Sequence, residues 1–232
     1  MPPAIEEHSV LCGRVVNIVK RRFDKPIRIP AVIIGGSHVE CVATDRKRPV
    51  KCGWRFDVAS VGYPGVVRCG RIACEPYDLG NGWNGFDFQA ALARPVKVIN
   101  DAAMQAPGGY DAETMLFLGL RMALGSALIV DGAITAMELK QLYCADGLAY
   151  EEYFGALERK RLGNQGWRRK VEEVAEGFRK ALLPDDIVLG GGNAVHLKRL
   201  PPQTRRGDDT HAFLGDFRLR ERHDAEADGA GA

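Results

Sequence analysis

No stretch of this 232-residue chain reaches the roughly 18 consecutive apolar residues that a spanning helix needs, so no membrane partner is expected. Residues 1–30 lack the basic start and long apolar centre of a secretory leader, and a cytoplasmic location is expected. Charge of one sign is missing too. Lys and Arg number 32 against 30 Asp and Glu, a net charge of +2, so no global field marks a nucleic-acid binder and none is expected as a partner. The six cysteines, at positions 12, 41, 52, 69, 74 and 144, include no CxxC pair. The nearest spacing, Cys69 to Cys74, is not a zinc pattern, so the cysteines read as buried free thiols of a reducing compartment. No metal site is expected from them.

What the chain does have is an alternation of strand-like and helix-like segments long enough for one large domain or two lobes. Residues 1–30 form an extension to which the sequence assigns no role. From Ala31, the runs AVII, HVECVAT and VKC predict an antiparallel meander of three strands. A further strand over 58–62 leads to a turn at Pro64-Gly65. EPYDLGNGWNGFDF is loop-like, 88–93 a short helix, and VKVI (96–99) a strand. In the second half, apolar runs at 115–120 and 127–130 form a strand pair that ends on Asp131-Gly132. A polar stretch, YEEYFGALERKRL, precedes a helix over 167–183. Its Val171, Val174, Ala175, Phe178, Ala181 and Leu182 share one face, with a Glu176–Lys180 pair on the other. Asp185-Asp186, IVL and Gly190 to Gly192 read as a strand running into a glycine turn. Strands interleaved with helices in both halves give an α/β class. Residues 223–232, rich in Ala, Asp and Gly, read as a disordered tail.

Asn100 and Asp101 stand where the run 96–99 gives way to the helix-like AAMQA. A carboxylate at a strand-to-helix junction is placed to take a proton. An Asn-Asp pair there also reads as a plain helix N-cap. Spacing alone leaves both open.

VGYPGVV, LGNGWNGFDF, PVKVINDAAMQA, LGSALIVDG, AMEL, RLGNQGWRRKV, VLGGGNA and LPPQTRRGD with HAFLGDFRL occur in that order between about residues 31 and 221. Together they resemble the ROK family of sugar kinases, and its polyphosphate glucokinase branch most of all. The resemblance implies a two-lobed actin-like/hexokinase-like (ribonuclease H-like) α/β fold, with lobes at 31–100 and 101–222. Only residues 53–56 stand where the family has a helix, so the first lobe is expected to be shortened.

In that family the Asp of the NDA motif removes the proton from the sugar hydroxyl, and Asp101 matches it. Of the family's sugar contacts, Asn100 and Glu138 match. Asp78 stands at a loop position usually held by Asn, and Gln141 at the His of a Glu-x-x-His element; both can still hydrogen-bond a hydroxyl. Without the resemblance, Glu138 reads as a solvated helix or turn residue.

The phosphate side departs further. The family's Asp-x-Gly-Gly-Thr loop is Ile33-Ile34-Gly35-Gly36-Ser37 here, so a hydrocarbon replaces a carboxylate that helps hold Mg²⁺. The second loop, Gly-Thr-Gly-Leu-Gly, is Arg121-Met122-Ala123-Leu124-Gly125, followed by Ser126. Gly190, Gly191, Gly192 and Asn193 match the nucleotide-side loop, although a GGG alone is merely a turn. The resemblance implies glucose as the sugar, ATP or polyphosphate with Mg²⁺ as donor, and a homodimer. Two functions stay open: a glucokinase-type phosphotransferase of lowered activity, or an inactive relative that binds a sugar or regulates a partner. The family's repressors carry a helix-turn-helix that residues 1–30 do not supply.

Overall fold

The computed structural model describes residues 30–34, 39–43, 55–76, 79–110, 113–121, 123–143, 147–154 and 156–207. The extension before Pro30, the third meander strand, Gly35, Gly36, Ser37, Asp78, Met122 and the tail lie outside them. The chain divides into two compact units, and the division falls between Met104 and Gln105.

The first unit is built on a four-stranded sheet. β1 (Pro30–Ile34) and β2 (Val39–Ala43) pair antiparallel. β3 (Ala59–Tyr63) then lies parallel to β1, with Ile33 opposite Gly62. A small hairpin of β4 (Val67–Arg68) and β5 (Arg71–Ile72) follows, then the five-residue helix α1 (Phe88–Leu92). The Asp87 side chain caps α1 by accepting from the Ala90 N–H at 3.0 Å, and Ala93 ends it in the left-handed region. β6 (Val96–Asn100) runs parallel to β3 and passes without a loop into α2 (Asp101–Gln105). The order β2-β1-β3-β6 buries Val61, Tyr63 and Val98 in a core with Ile72, Trp83 and Phe88. The shortening ahead of β3 therefore does not stop it from joining the sheet beside β1.

The second unit holds a five-stranded sheet. β7 (Thr114–Leu120), β8 (Leu124–Val130) and β9 (Ala133–Met137) form an antiparallel meander. The helices α3 (Tyr150–Phe154) and α4 (Ala156–Leu182) follow. β10 (Asp186–Gly190) returns parallel to β7, and β11 (Thr204–Arg206) parallel to β10. β7 lies between β10 and β8 and is buried on both faces, hence its nearly unbroken apolar sequence. Leu116, Leu118 and Leu120 pack with Trp167, Val171, Val174 and Phe178 of α4, each such side chain contributing about 1.5–3 kcal/mol on burial.

The helix expected over 167–183 is longer, because α4 begins at Ala156 and breaks at Gly163, whose φ of 67° no other residue adopts cheaply. Ala181, placed on the apolar face by its spacing, is exposed, while Leu182 beside it packs against the core. The Glu176–Lys180 pair is present at 3.2 Å, with Arg179 added at 2.8 Å. No helix among the described residues is long and apolar enough to cross a membrane.

Candidate functional site

The β6–α2 junction sets its two polar residues apart. Asn100, 7% exposed, accepts from the N–H groups of Ala102 (2.9 Å) and Ala103 (3.1 Å) through Oδ1, so it is the N-cap of α2. Its Nδ2 donates to the Gly65 carbonyl at 3.1 Å, tying the turn after β3 to the junction. Asp101, half-buried at the first helical position, accepts from the Ala102 N–H at 2.9 Å. Capping therefore falls to Asn100, and the carboxylate one residue on is not required for it. A methyl at Gly62 would lie 3.4 Å from the Asp101 Cα and 3.0 Å from Met104 Sδ, so glycine lets α2 start close to β3.

A second loop belongs to the same unit. The Tyr63 hydroxyl, on a ring 0% exposed, donates to the Cys74 carbonyl at 3.0 Å. Burial is the main cause that raises its pKa well above the ordinary tyrosine value. The next residue, Glu75, accepts from the N–H groups of Trp83 (2.9 Å) and Asn84 (3.1 Å). The Trp83 ring packs on Tyr63 at 6.1 Å and its indole N–H donates to Leu79 at 3.3 Å. Glu75 was not legible in the sequence, because no local pattern pairs it with amides 8 and 9 positions on.

In the second unit, the β7–β8 turn and the glycine loop after β10 are bonded to each other. Asn193 donates from its backbone to Leu120 at 2.9 Å and from Nδ2 to the Arg121 carbonyl at 2.7 Å. Gly191, at φ +81°, leaves no room for a Cβ, which would fall 2.8 Å from the Leu120 carbonyl; at Gly190 it would meet Phe117 at 2.6 Å. At Gly192 an added Cβ would meet nothing within 4 Å. Two of the three glycines thus answer to packing and the third does not. The Arg121 guanidinium donates to Oε1 of the buried Gln105 at 3.2 Å. Gly125 pairs with Gly119 inside the β7–β8 ladder, beyond the turn itself.

Ser126, expected on the phosphate loop, is 1% exposed, donates to the Met137 carbonyl at 2.8 Å and accepts from the Leu139 N–H at 3.3 Å. That hydroxyl fastens the segment carrying Glu138. Glu138 opens a 3-10 turn over Leu139–Gln141, and the Gln141 N–H donates to its carbonyl at 3.0 Å. Gln141, at the end of that turn, is exposed, and Glu138 is half-buried. Lys140 Nζ stands 3.4 Å from Glu138 Oε2, a partner the sequence reading did not name.

The described residues do not fit a protein-held Mg²⁺. Ile33, which the resemblance sets at the position of the family's carboxylate, is 0% exposed and packs toward Gly62, and a hydrocarbon cannot ligate a hard cation. Among the described residues there is no group of three or more His, Cys, Asp or Glu able to hold a metal ion.

No protein-family model matches the chain, and no curated protein matches it. Solved structures do. An inorganic polyphosphate/ATP-glucomannokinase from Arthrobacter sp. strain KM is 20% identical, with 83% of this chain and 99% of that one covered at a TM-score of 0.64. A ROK-family glucokinase from Streptomyces griseus, in complex with glucose and AMPPNP, is 14% identical over 83% and 98% at 0.61. A ROK hexokinase from Thermus thermophilus is 19% identical over 82% and 96% at 0.55. These likenesses show the fold: this chain has the two-lobed, actin-like/hexokinase-like α/β architecture of ROK sugar kinases.

Proposed function

We propose that the chain is a ROK-family sugar kinase relative of the polyphosphate glucokinase branch. It binds glucose and transfers a phosphoryl group from polyphosphate or ATP, with turnover well below that of a kinase with intact phosphate loops. One observation carries this reading: Asn100 caps α2 and anchors Gly65, and this fixes the half-buried Asp101 carboxylate beside it at the strand-to-helix junction, the place of the family's base.

In the proposed step Asp101 accepts the proton of a glucose hydroxyl as its oxygen bonds to the terminal phosphorus. The bond from that phosphorus to the donor's bridging oxygen breaks, and the donor leaves with the electron pair. A positioned base of this kind is worth about 10²–10⁴-fold. Asn100, Asp78, Glu138 and Gln141 are assigned to the sugar hydroxyls. Gly35, Gly36, Ser37, Gly125, Gly190, Gly191, Gly192 and Asn193 are assigned to the donor side, and Ser126 supports Glu138. Transfer of this kind rests on positioning and charge stabilisation, so a turn reading Arg-Met-Ala in place of Gly-Thr-Gly removes donors worth about 2.7–4 kcal/mol each.

The test is a coupled assay of glucose phosphorylation with ATP and with polyphosphate, comparing the chain with Asp101→Asn. Product that depends on Asp101 with either donor is expected. Ile33 favours a second reading, a sugar-binding protein without turnover: glucose-induced thermal stabilisation without product would establish it, and neither product nor stabilisation would sink both.

A further inference from the structure

Gly80, Gly82 and Gly85 all have positive φ, at 71°, 106° and 72°, and curl the chain around one exposed carboxylate, Glu75. Each of its oxygens takes one backbone donor, Oε2 from Trp83 at 2.9 Å and Oε1 from Asn84 at 3.1 Å. These N–H groups, Trp83's foremost and Gly82's in addition, hold its carboxyl below the ordinary value against the opposing effect of desolvation.

Glu75 is held in place from behind as well. The carbonyl of its neighbour Cys74 is gripped by the Tyr63 hydroxyl, and two residues after Tyr63 the Gly65 carbonyl is gripped by Asn100. The 79–84 loop, the turn after β3 and the β6–α2 junction therefore form one hydrogen-bonded assembly within the first unit. An exposed glutamate with no further task would sample many rotamers; this one is spent on two adjacent amides of a glycine-rich loop.

We propose that Glu75 is a positioning residue, fixing the 79–84 loop relative to Asn100 and Asp101 so that the sugar-binding groups keep one spacing. The inference rests on the sugar-binding reading above. It assigns Glu75 no contact with the sugar.

The experiment measures glucose affinity of the full chain by calorimetry at a temperature well below every melting point. It compares the parent with Glu75→Gln, Glu75→Asp and a control, Val61→Ala, which trims a core side chain of the same unit. Glu75→Gln, with one acceptor oxygen in place of two, weakens glucose binding at least tenfold, and Glu75→Asp, a methylene too short, weakens it as well. Val61→Ala lowers the melting temperature but leaves affinity within about twofold. Wild-type affinity in the Glu75 variants, or an equal loss in Val61→Ala, overturns the positioning role. Should Glu75→Gln fail to fold, Glu75→Asp is judged by the same criteria. A parent chain that binds no glucose removes the sugar reading itself, and the positioning role falls with it.

Discussion

Asn100 and Gly65 are joined across 35 positions of sequence by a 3.1 Å hydrogen bond, while the other end of the same amide caps α2. Asn100→Ala loses an N-cap, about 1 kcal/mol, and strands the Gly65 carbonyl, about 1–3 kcal/mol more. Asn100→Asp keeps the cap but sets an acceptor against that carbonyl. Urea unfolding should show both variants destabilised, Ala by about 2–4 kcal/mol in total. An Asp variant as stable as the parent would mean that the Gly65 bond contributes nothing.

The two glycines at 191 and 192 separate packing from binding. Gly191→Ala puts a Cβ 2.8 Å from the Leu120 carbonyl at a φ of +81° and should cost about 1–3 kcal/mol or more. Gly192→Ala has open space and an ordinary φ, so its melting temperature should stay within about a degree of the parent's, consistent with the small effect of surface substitutions. If Gly192 serves the donor, the same variant weakens tripolyphosphate or ATP binding without touching stability. Equal melting temperatures for both variants would contradict the geometry.

Ile33→Asp tests the missing metal ligand. Ile33 is 0% exposed, so an uncompensated carboxylate there should cost about 3–5 kcal/mol, and added Mg²⁺ should not restore the melting temperature. A variant of parental stability that Mg²⁺ stabilises further would show that water and metal reach this position.

On α4, Glu176 bonds to Arg179 and then Lys180, which hold its carboxyl at about 2. Because the folded value lies below the ordinary 4.5, its stabilisation is full above that value and is lost as pH falls toward 2. The group is exposed, so the effect is small and salt-sensitive. Glu176→Gln should lower stability slightly at pH 7 in low salt and leave it unchanged at pH 2. A difference that persists at pH 2, or at molar salt, would point to packing.

Strands were legible where a short apolar run met a turn signal. The run 96–99 became Val96–Asn100, and 58–62 became Ala59–Tyr63, one residue on. β9 escaped because AITAM lies at the sheet edge, mostly exposed, with neither an apolar run nor clean alternation. The first part of α4 escaped because Gly163 interrupts its periodicity and its charges read only as a polar stretch. At the site, the Asn100–Asp101 junction was readable, but which residue capped α2 was not, since either side chain can serve and only the fold brings Gly65 to one of them. Glu75, Gln105 and Lys140 stayed hidden for the same reason: their partners follow from turns and register, which no local pattern encodes.

Arg205 in β11 donates to Asp186 of β10 at 2.6 Å and to the carbonyl of Gly109, 96 positions earlier. The stretch just after α2 is thus locked by a residue made near the end of the second unit. During synthesis that bond cannot form until Arg205 has left the ribosome, so a ribosome stalled before β11 should carry a second unit more open to protease than the finished chain.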